Sequence, residues 1–495
     1  MGNPANPLPT DGVVGRLTDK QEKDLKAAWG EFLDLIDNAP TEGNGKTTSV
    51  EVNTDKGSQP KVSSKSRASA QRPACSGGCA GLETVAFRAF ELSRSPLREA
   101  EPGDDAKAAA RAEQERADAA AAFQEYGSRR FVASFWRLVA MDDPDGIMLR
   151  FLRARKWSGS AGIAMLCACI KWRMGGDVEK IFEKGEEGMK DAEGFIMQME
   201  TGKTYTQGTD RYGRPVVYIH VAKHRTFDQS PKALEDFVVF QMESVRCLFS
   251  PPVDKIVMVF DMTGFGIRNM DWRCILFIVK CLEAYYPESL NVMLIHNAPW
   301  VFQGIWKVLG PMLDPVVRAK IDFTKSTDDL VVHIPRNHLV KELGGTSAWT
   351  WKYPPIKPGE NAAQQDKEGR KRLQAERDDL IGQYTELTRQ WIKSDDPNIA
   401  KQRRIIMLKM RAQYFVLDPY IRGRGAYHRH GNIIGNGLVT FDYPSSSGES
   451  EGEWETAGYE TCKEQCQLEA TQLEAELKAA GVSVGGGGRG GKRHK

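Results

Sequence analysis

Long apolar runs are missing from this chain. None reaches the ~18 residues that a membrane-spanning helix needs, and 162–170 is among the longest. An excess of one charge is missing too: 68 Lys and Arg stand against 66 Asp and Glu, for a formal net charge of +2. Any basic surface must then be local, and no nucleic-acid partner is expected. Catalytic signatures such as G-x-S-x-G and H-E-x-x-H are absent, so nothing recommends an enzyme. Cysteine is sparse, at nine in 495 residues. Cys167, Cys169, Cys274 and Cys281 fall in apolar helical stretches, where they read as small core residues. Cys75/Cys79 and Cys462/Cys466 have no histidine cluster beside them in sequence, and no metal is expected. The first residues lack the basic and apolar regions of a secretory signal, and Asn6 breaks the myristoylation pattern. A reduced, cytoplasmic compartment is the expectation.

What is present divides into six stretches. Residues 1–40 hold one amphipathic helix, with Leu25, Trp29, Phe32, Leu33 and Ile36 on one face and Thr18 or Asp19 as cap. Residues 41–122 are rich in small and polar residues, then in Ala, Asp, Glu and Arg. They are read as a disordered, low-complexity insertion into a helical lobe, with a surface helix over about 104–122 as the alternative for its last part. That lobe resumes over 123–190. Over 191–346, strands alternate with helices, as in a parallel-rich α/β sheet. A hairpin is predicted around 201–221, further strands at 320–324 and 329–334, and a short helix at 335–343. Residues 347–440 form a helical extension, with helices at about 365–393 and 398–416. Residues 441–495 read as a disordered tail.

The most informative stretch is 255–321. Its two strands, 255–261 and 291–297, are apolar on both faces, as strands covered by helices on either side must be. The helix over 300–313 carries Trp300, Phe302, Ile305, Trp306, Leu309, Met312 and Leu313 and has almost no polar face. Such a helix is buried or faces something other than water. Gly304 interrupts it and Gly310 precedes a proline near its end, so both read as hinges of a movable lid, with Gly266 in the turn after the first strand. Gly264 and Gly266 also sit where a dinucleotide fingerprint would, but Asn269 stands in place of its third glycine. The basic run 150–156 lies just before a turn, where two of its groups could meet an anion.

Six ordered motifs then carry a resemblance: Leu149-Arg-Phe-Leu-Arg-Ala-Arg-Lys156, Asp210-Arg-Tyr-Gly-Arg-Pro-Val216, Tyr285-Tyr-Pro-Glu288, His296-Asn-Ala-Pro299, Leu313-Asp-Pro-Val-Val-Arg-Ala-Lys-Ile321 and Leu343-Gly-Gly345. Over about 123–346 the chain resembles the CRAL-TRIO lipid-binding family, of the fungal phosphatidylinositol/phosphatidylcholine transfer type. The resemblance implies a helical lobe followed by a sheet and helices that enclose an apolar lipid pocket. It implies a headgroup set of Arg155, Lys156, Glu288, Asp314 and Lys320, and a gate and pocket lining drawn from the 300–313 helix; the apolar stretches around 234–249 and 272–286 are further candidate lining. The family's choline-lipid hydroxyls fall at Gly266 and Arg268, so only the inositol-lipid site is implied. The expected function is exchange of phosphatidylinositol between membranes by a non-enzymatic monomer that touches the membrane transiently. The phospholipid is its ligand and no cofactor is needed. The alternatives are a sensor or scaffold that holds a sterol-like ligand and regulates a lipid kinase or membrane traffic, and, more remotely, a nucleotide-dependent α/β enzyme.

Overall fold

A computed structural model of the chain describes residues 12–44, 104–445 and 452–482. Helix α1 (Asp19–Asn38) begins as its capping signal predicts. The Thr18 hydroxyl accepts from the Gln21 N–H, and Gln21 Oε1 accepts in return from the Thr18 N–H, which satisfies two orphan donors. Leu25, Trp29, Phe32 and Leu33 are buried, with Ile36 at the edge of the same core.

The expectation of disorder through 122 needs correction. Residues 45–103 lie outside the described residues, but helix α2 (Asp104–Val139) covers the rest of the stretch. Its alanine-rich sequence favours helix, and Ala119, Ala122 and Phe123 are buried in the helical lobe's core. The helix turns at Gly127 (φ 74°, ψ 157°). A Cβ there would lie 2.6 Å from the Thr41 carbonyl oxygen, so only glycine lets the two segments meet. The lobe continues with α3 (Pro144–Ala154), capped by Asp143, then α4 (Gly159–Gly175), α5 (Val178–Met189) and α6 (Phe195–Glu200).

The sheet has the order β1 (Thr204–Thr209), β2 (Pro215–His220), β3 (Ile256–Asp261), β4 (Leu290–His296) and β5 (Ile321–Thr324). The first pair is an antiparallel hairpin and the remaining pairs are parallel. Alternate side chains go to opposite faces. Tyr218, Val257, Val259 and Leu294 pack on one face with Leu330 and Leu339. Val217, Met258, Met293 and Ile295 pack on the other, under helices α7 (Pro231–Arg246), α8 (Trp272–Lys280) and α9 (Phe302–Leu309). A four-residue helix, α10 (Pro315–Arg318), leads into β5.

Two local expectations fail after β5. Residues 329–334, predicted as a strand, instead lie in and just after helix α11 (Thr327–Val331). The Ser326 hydroxyl accepts from the Asp329 N–H at 3.2 Å, and the Asp329 carboxylate accepts from the Ser326 N–H at 2.9 Å. That capping box outweighs the apolar run Leu330 to Ile334. The predicted helix 335–343 is a series of turns ending in one 3-10 turn, Lys341–Leu343.

The extension forms a hairpin of α12 (Lys367–Lys393) and α13 (Pro397–Ile421), as predicted, and packs on the helical lobe. Arg403 joins them: its guanidinium donates to Asp145 Oδ1 at 2.6 Å and lies 4.5 Å from the Tyr384 ring centroid. A short helix, α14 (Ala426–Arg429), docks on the sheet side, where Tyr427 Oη accepts from the Thr206 N–H at 2.8 Å. The tail expected to be disordered from 441 is ordered where described. It contains a hairpin, β6 (Val439–Tyr443) with β7 (Glu453–Ala457), and helix α15 (Lys463–Ala479). The stripe that docks α15 is made of small residues, Cys466 and Ala470, with Leu477. Composition alone reads such a stripe as low complexity.

The helical lobe and the sheet lobe are tied by buried charge. Arg173 of α4 donates to Glu179 at 3.0 Å and to Glu243 of α7 at 2.7 Å. The Glu243 carboxylate also accepts from Tyr286 at 2.9 Å and Arg246 at 3.2 Å, and Arg246 reaches Asp142 at 2.9 Å.

Candidate lipid site

The space between α7, α8 and the sheet is an apolar seam with two chambers. One, of about 80 Å³, is walled by Val217, Leu234, Val238, Met258 and Ile278 among others. The second, of about 40 Å³, lies against the helical lobe and is lined by Ile147, Arg150, Phe249 and Tyr286. Met242, Val245 and Ile256 line both, so the chambers adjoin. Ligand pockets usually enclose ~300–1,000 Å³. The expected hollow is therefore closed down here, filled largely by its own side chains.

Charge gathers where the second chamber meets the helical lobe. Arg150 and Arg153 of α3 pair with Asp254 at 3.7 and 3.4 Å, and Lys255 and Lys320 pair with Glu288 at 3.5 and 3.7 Å. Four cations thus face two carboxylates, which leaves a positive surplus for an anion. Burial by itself would raise the Glu288 pKa, but Lys320, Lys255 and Arg153 outweigh it and the net direction is down. Burial depresses the Lys255 pKa, Lys320 pushes it the same way, and Glu288 opposes. Glu288 also holds a left-handed backbone (φ 57°), a costly conformation for a residue with a side chain.

The five headgroup residues taken from the resemblance do not form one cluster. Glu288 and Lys320 meet. Arg155 instead donates through Nε to Glu115 Oε2 at 3.2 Å and through Nη2 to Glu115 Oε1, so its fork is filled by a carboxylate of α2. Arg111, one turn earlier on α2, lies 3.4 Å from Asp314 and donates to the Glu283 carbonyl at 2.8 Å. Asp314 caps α10 and donates its own N–H to Glu283 at 2.6 Å. Lys156 is exposed and makes no ion pair among the described residues. Arg150 and Arg153 belong to the basic run expected to meet an anion, but only Arg155 and Lys156 of that run were assigned to the headgroup; Asp254, Lys255, Arg111 and Glu115 were not singled out from sequence. Residues three apart on a helix share a face, and that spacing in the basic run could have selected Arg150 with Arg153.

The 300–313 helix is half-buried. Phe302, Leu309 and Leu313 are buried, Ile305, Trp306 and Met312 are partly buried, and Trp300 and Val308 are 84% and 51% exposed. Phe302 packs on Phe265 and Phe323, and Trp306 on Phe323. None of the predicted lining residues from this helix lines either chamber, but the other two predicted lining stretches, 234–249 and 272–286, do, through Leu234, Val238 and Met242 of α7 and Cys274 and Ile278 of α8. Nor does the backbone at Gly266, Gly304 or Gly310 take a positive φ, so no conformational demand for glycine marks these positions as hinges. Helix α8 is apolar yet has no fully buried residue, and it runs into a π turn, Cys281–Tyr285. At the Gly264 turn, Asn269 Oδ1 already accepts from the Gly266 N–H at 2.9 Å. That N–H is not free for a nucleotide phosphate.

Among the described residues there is no group of metal-ligating side chains and no helix long and apolar enough to cross a membrane. The model of the CRAL/TRIO domain matches residues 199–345, and that of the CRAL/TRIO N-terminal domain matches 120–168. Over 302 residues the chain is 39% identical to CRAL-TRIO domain-containing protein C3H8.02 of Schizosaccharomyces pombe, covering 60% of this chain and 68% of that protein. Over 307 residues it is 35% identical to phosphatidylinositol transfer protein CSR1 of Eremothecium gossypii, covering 60% of this chain and 70% of that protein. The crystal structure of Sfh5 aligns with 38% of this chain and 66% of its own, at 17% identity and a TM-score of 0.33.

Proposed function

Since this chain belongs to the CRAL-TRIO family, we propose that it binds phosphatidylinositol and exchanges it between membranes, with the acyl chains in the seam and the phosphate on the cationic cluster. The positive surplus of Arg150, Arg153, Lys255 and Lys320 at the second chamber is the observation that carries this reading. Two acyl chains hold roughly 30 methylenes, and exposing them to water costs about 25 kcal/mol at ~0.8 kcal/mol each. A carrier must therefore enclose them, and the present chambers must widen to do so. Helix α8, apolar and only partly buried, is the wall best suited to yield, since π turns such as the one at its end often mark functional sites. Trp300, in the turn before α9, and Val308 on α9 would meet lipid when the protein docks on a bilayer. Lipid extracted from the chain purified out of cells should contain phosphatidylinositol. Extraction that yields no inositol lipid, with none taken up from liposomes, overturns the reading.

Glu115 has a place in this scheme. Its carboxylate holds Arg155 as a phosphate would, so α2 competes with an incoming headgroup for that guanidinium. Glu115→Gln should tighten phosphatidylinositol binding by about 10-fold, on the order of one charge-assisted contact released. Equal affinities by liposome co-flotation would remove Arg155 from the ligand site.

A further inference from the structure

The larger chamber ends in a buried amine. Lys203, just before β1, is 5% exposed and lines that chamber. Its Nζ donates to Gln229 Oε1 at 3.1 Å and meets His224 Nδ1 at 3.2 Å. An ammonium can only donate, so His224 Nδ1 accepts and Nε2 carries the ring proton toward Asp271 Oδ2, 3.3 Å away. Asp271 is held in turn by the Cys274 N–H at 3.0 Å, at the start of α8. Gln229 is anchored through its Nε2 to the Arg225 carbonyl at 2.8 Å. The cluster is thus built and braced, yet it uses two of three ammonium protons. Among the described residues no carboxylate lies within ion-pair distance of Lys203.

The rest of the chamber offers this cation little. Its walls are mainly Val217, Ile219, Leu234, Val238, Met258 and Ile278, and the Phe237 ring centroid lies 5.4 Å from Nζ. Asp271 and Asp228 offset this charge only from beyond ion-pair distance; a buried charge without a direct partner is costly, and a structure retains one where something pairs with it. A phospholipid whose headgroup sits at the cluster around Lys320 would send only methyl ends toward Lys203, and these cannot satisfy an ammonium.

We infer that Lys203, braced by Gln229 and the His224–Asp271 pair, anchors the carboxylate of a single-chain, fatty-acid-class ligand whose hydrocarbon lies in the seam. This rests on the reading that the seam accepts hydrocarbon, and it adds a second ligand class with its own polar end. Burial pushes the Lys203 pKa down to about 8, which keeps most of the amine charged at neutral pH. The carboxylate then gains a charge-assisted hydrogen bond in a dry site, and the chain gains burial along the seam.

The test uses the delipidated full chain, titrated with the fluorescent fatty acid cis-parinaric acid and with its methyl ester. The acid should bind at least ~10-fold tighter than the ester, the size expected of one hydrogen bond between charged partners. In Lys203→Met that preference should fall to about one with ester binding unchanged. Lys203→Arg should keep the preference, and the unchanged ester affinity reports that each variant is folded. An acid-to-ester ratio near one in the wild type, or a preference that survives in Lys203→Met, overturns the inference and leaves phosphatidylinositol transfer standing. If neither probe binds the wild type, this inference and the hydrocarbon seam fall together.

Discussion

Replacing Lys255 and Lys320 together by methionine should reduce transfer of labelled phosphatidylinositol between liposomes by on the order of 100-fold, given about 1.5–3 kcal/mol for each hydrogen bond to a charged group. Two effects add. The phosphate loses two donors, and Glu288, which now pairs with both lysines, is left as an uncompensated carboxylate facing the same anion. Its depressed pKa should then rise, because burial, the largest influence on it, would no longer be outweighed by Lys320 and Lys255. The variant should still fold, since both lysines are partly exposed and stand immediately before β3 and β5, where methionine keeps the backbone hydrogen bonds. Wild-type transfer rates in the double variant would show that the anion binds elsewhere.

The second large effect concerns stability. Arg173→Met removes the cation that Glu243 and Glu179 share in the interior between the two lobes. Losing one partner of a buried pair costs about 3–5 kcal/mol, because the remaining charge is stranded. Urea unfolding should read that loss, and a change below about 1 kcal/mol would mean that water or rearranged side chains compensate.

The pH dependence gives an independent check. Burial would raise the Glu243 pKa, but Arg173 and Arg246 outweigh it and hold it at about 2. A carboxyl whose folded pKa lies below its unfolded value of about 4.3 adds stability above that value and loses it as pH falls toward the folded pKa. Wild-type stability should therefore fall by about 2–3 kcal/mol between about pH 4.5 and pH 2 on account of this group. In Arg173→Met the same window should flatten, because Glu243 loses its largest source of stabilisation. Parallel wild-type and variant curves would show that Arg173 does not control this titration.

Particular elements show where local reading sufficed. Strands β3 and β4 were legible because they are largely apolar runs set off by turn residues, a pattern that survives in almost any surroundings. Helix α1 was legible from its cap and its 3.6-residue stripe. The burial of α15 and of the 104–122 part of α2 was not, since Ala119, Ala122, Cys466 and Ala470 are too small to signal burial until a partner helix is placed against them. The strand expected at 329–334 failed because its apolar run satisfies either period, and a capping box at its start decided the matter.

The charged site divides in the same way. Residue types, their order and the family were readable along the chain, because covalent sequence alone carries them. Which charges meet was not. Arg153 and Arg155 are two residues apart on a helical segment and point away from each other, one toward Asp254 and the other toward Glu115. Lys203 and His224 are separated by a whole hairpin and touch only after the sheet forms. Covalent order thus set most of the elements and the chemistry available. Electrostatic partnership and the volume left inside emerged from packing, since both depend on distances between segments remote along the chain.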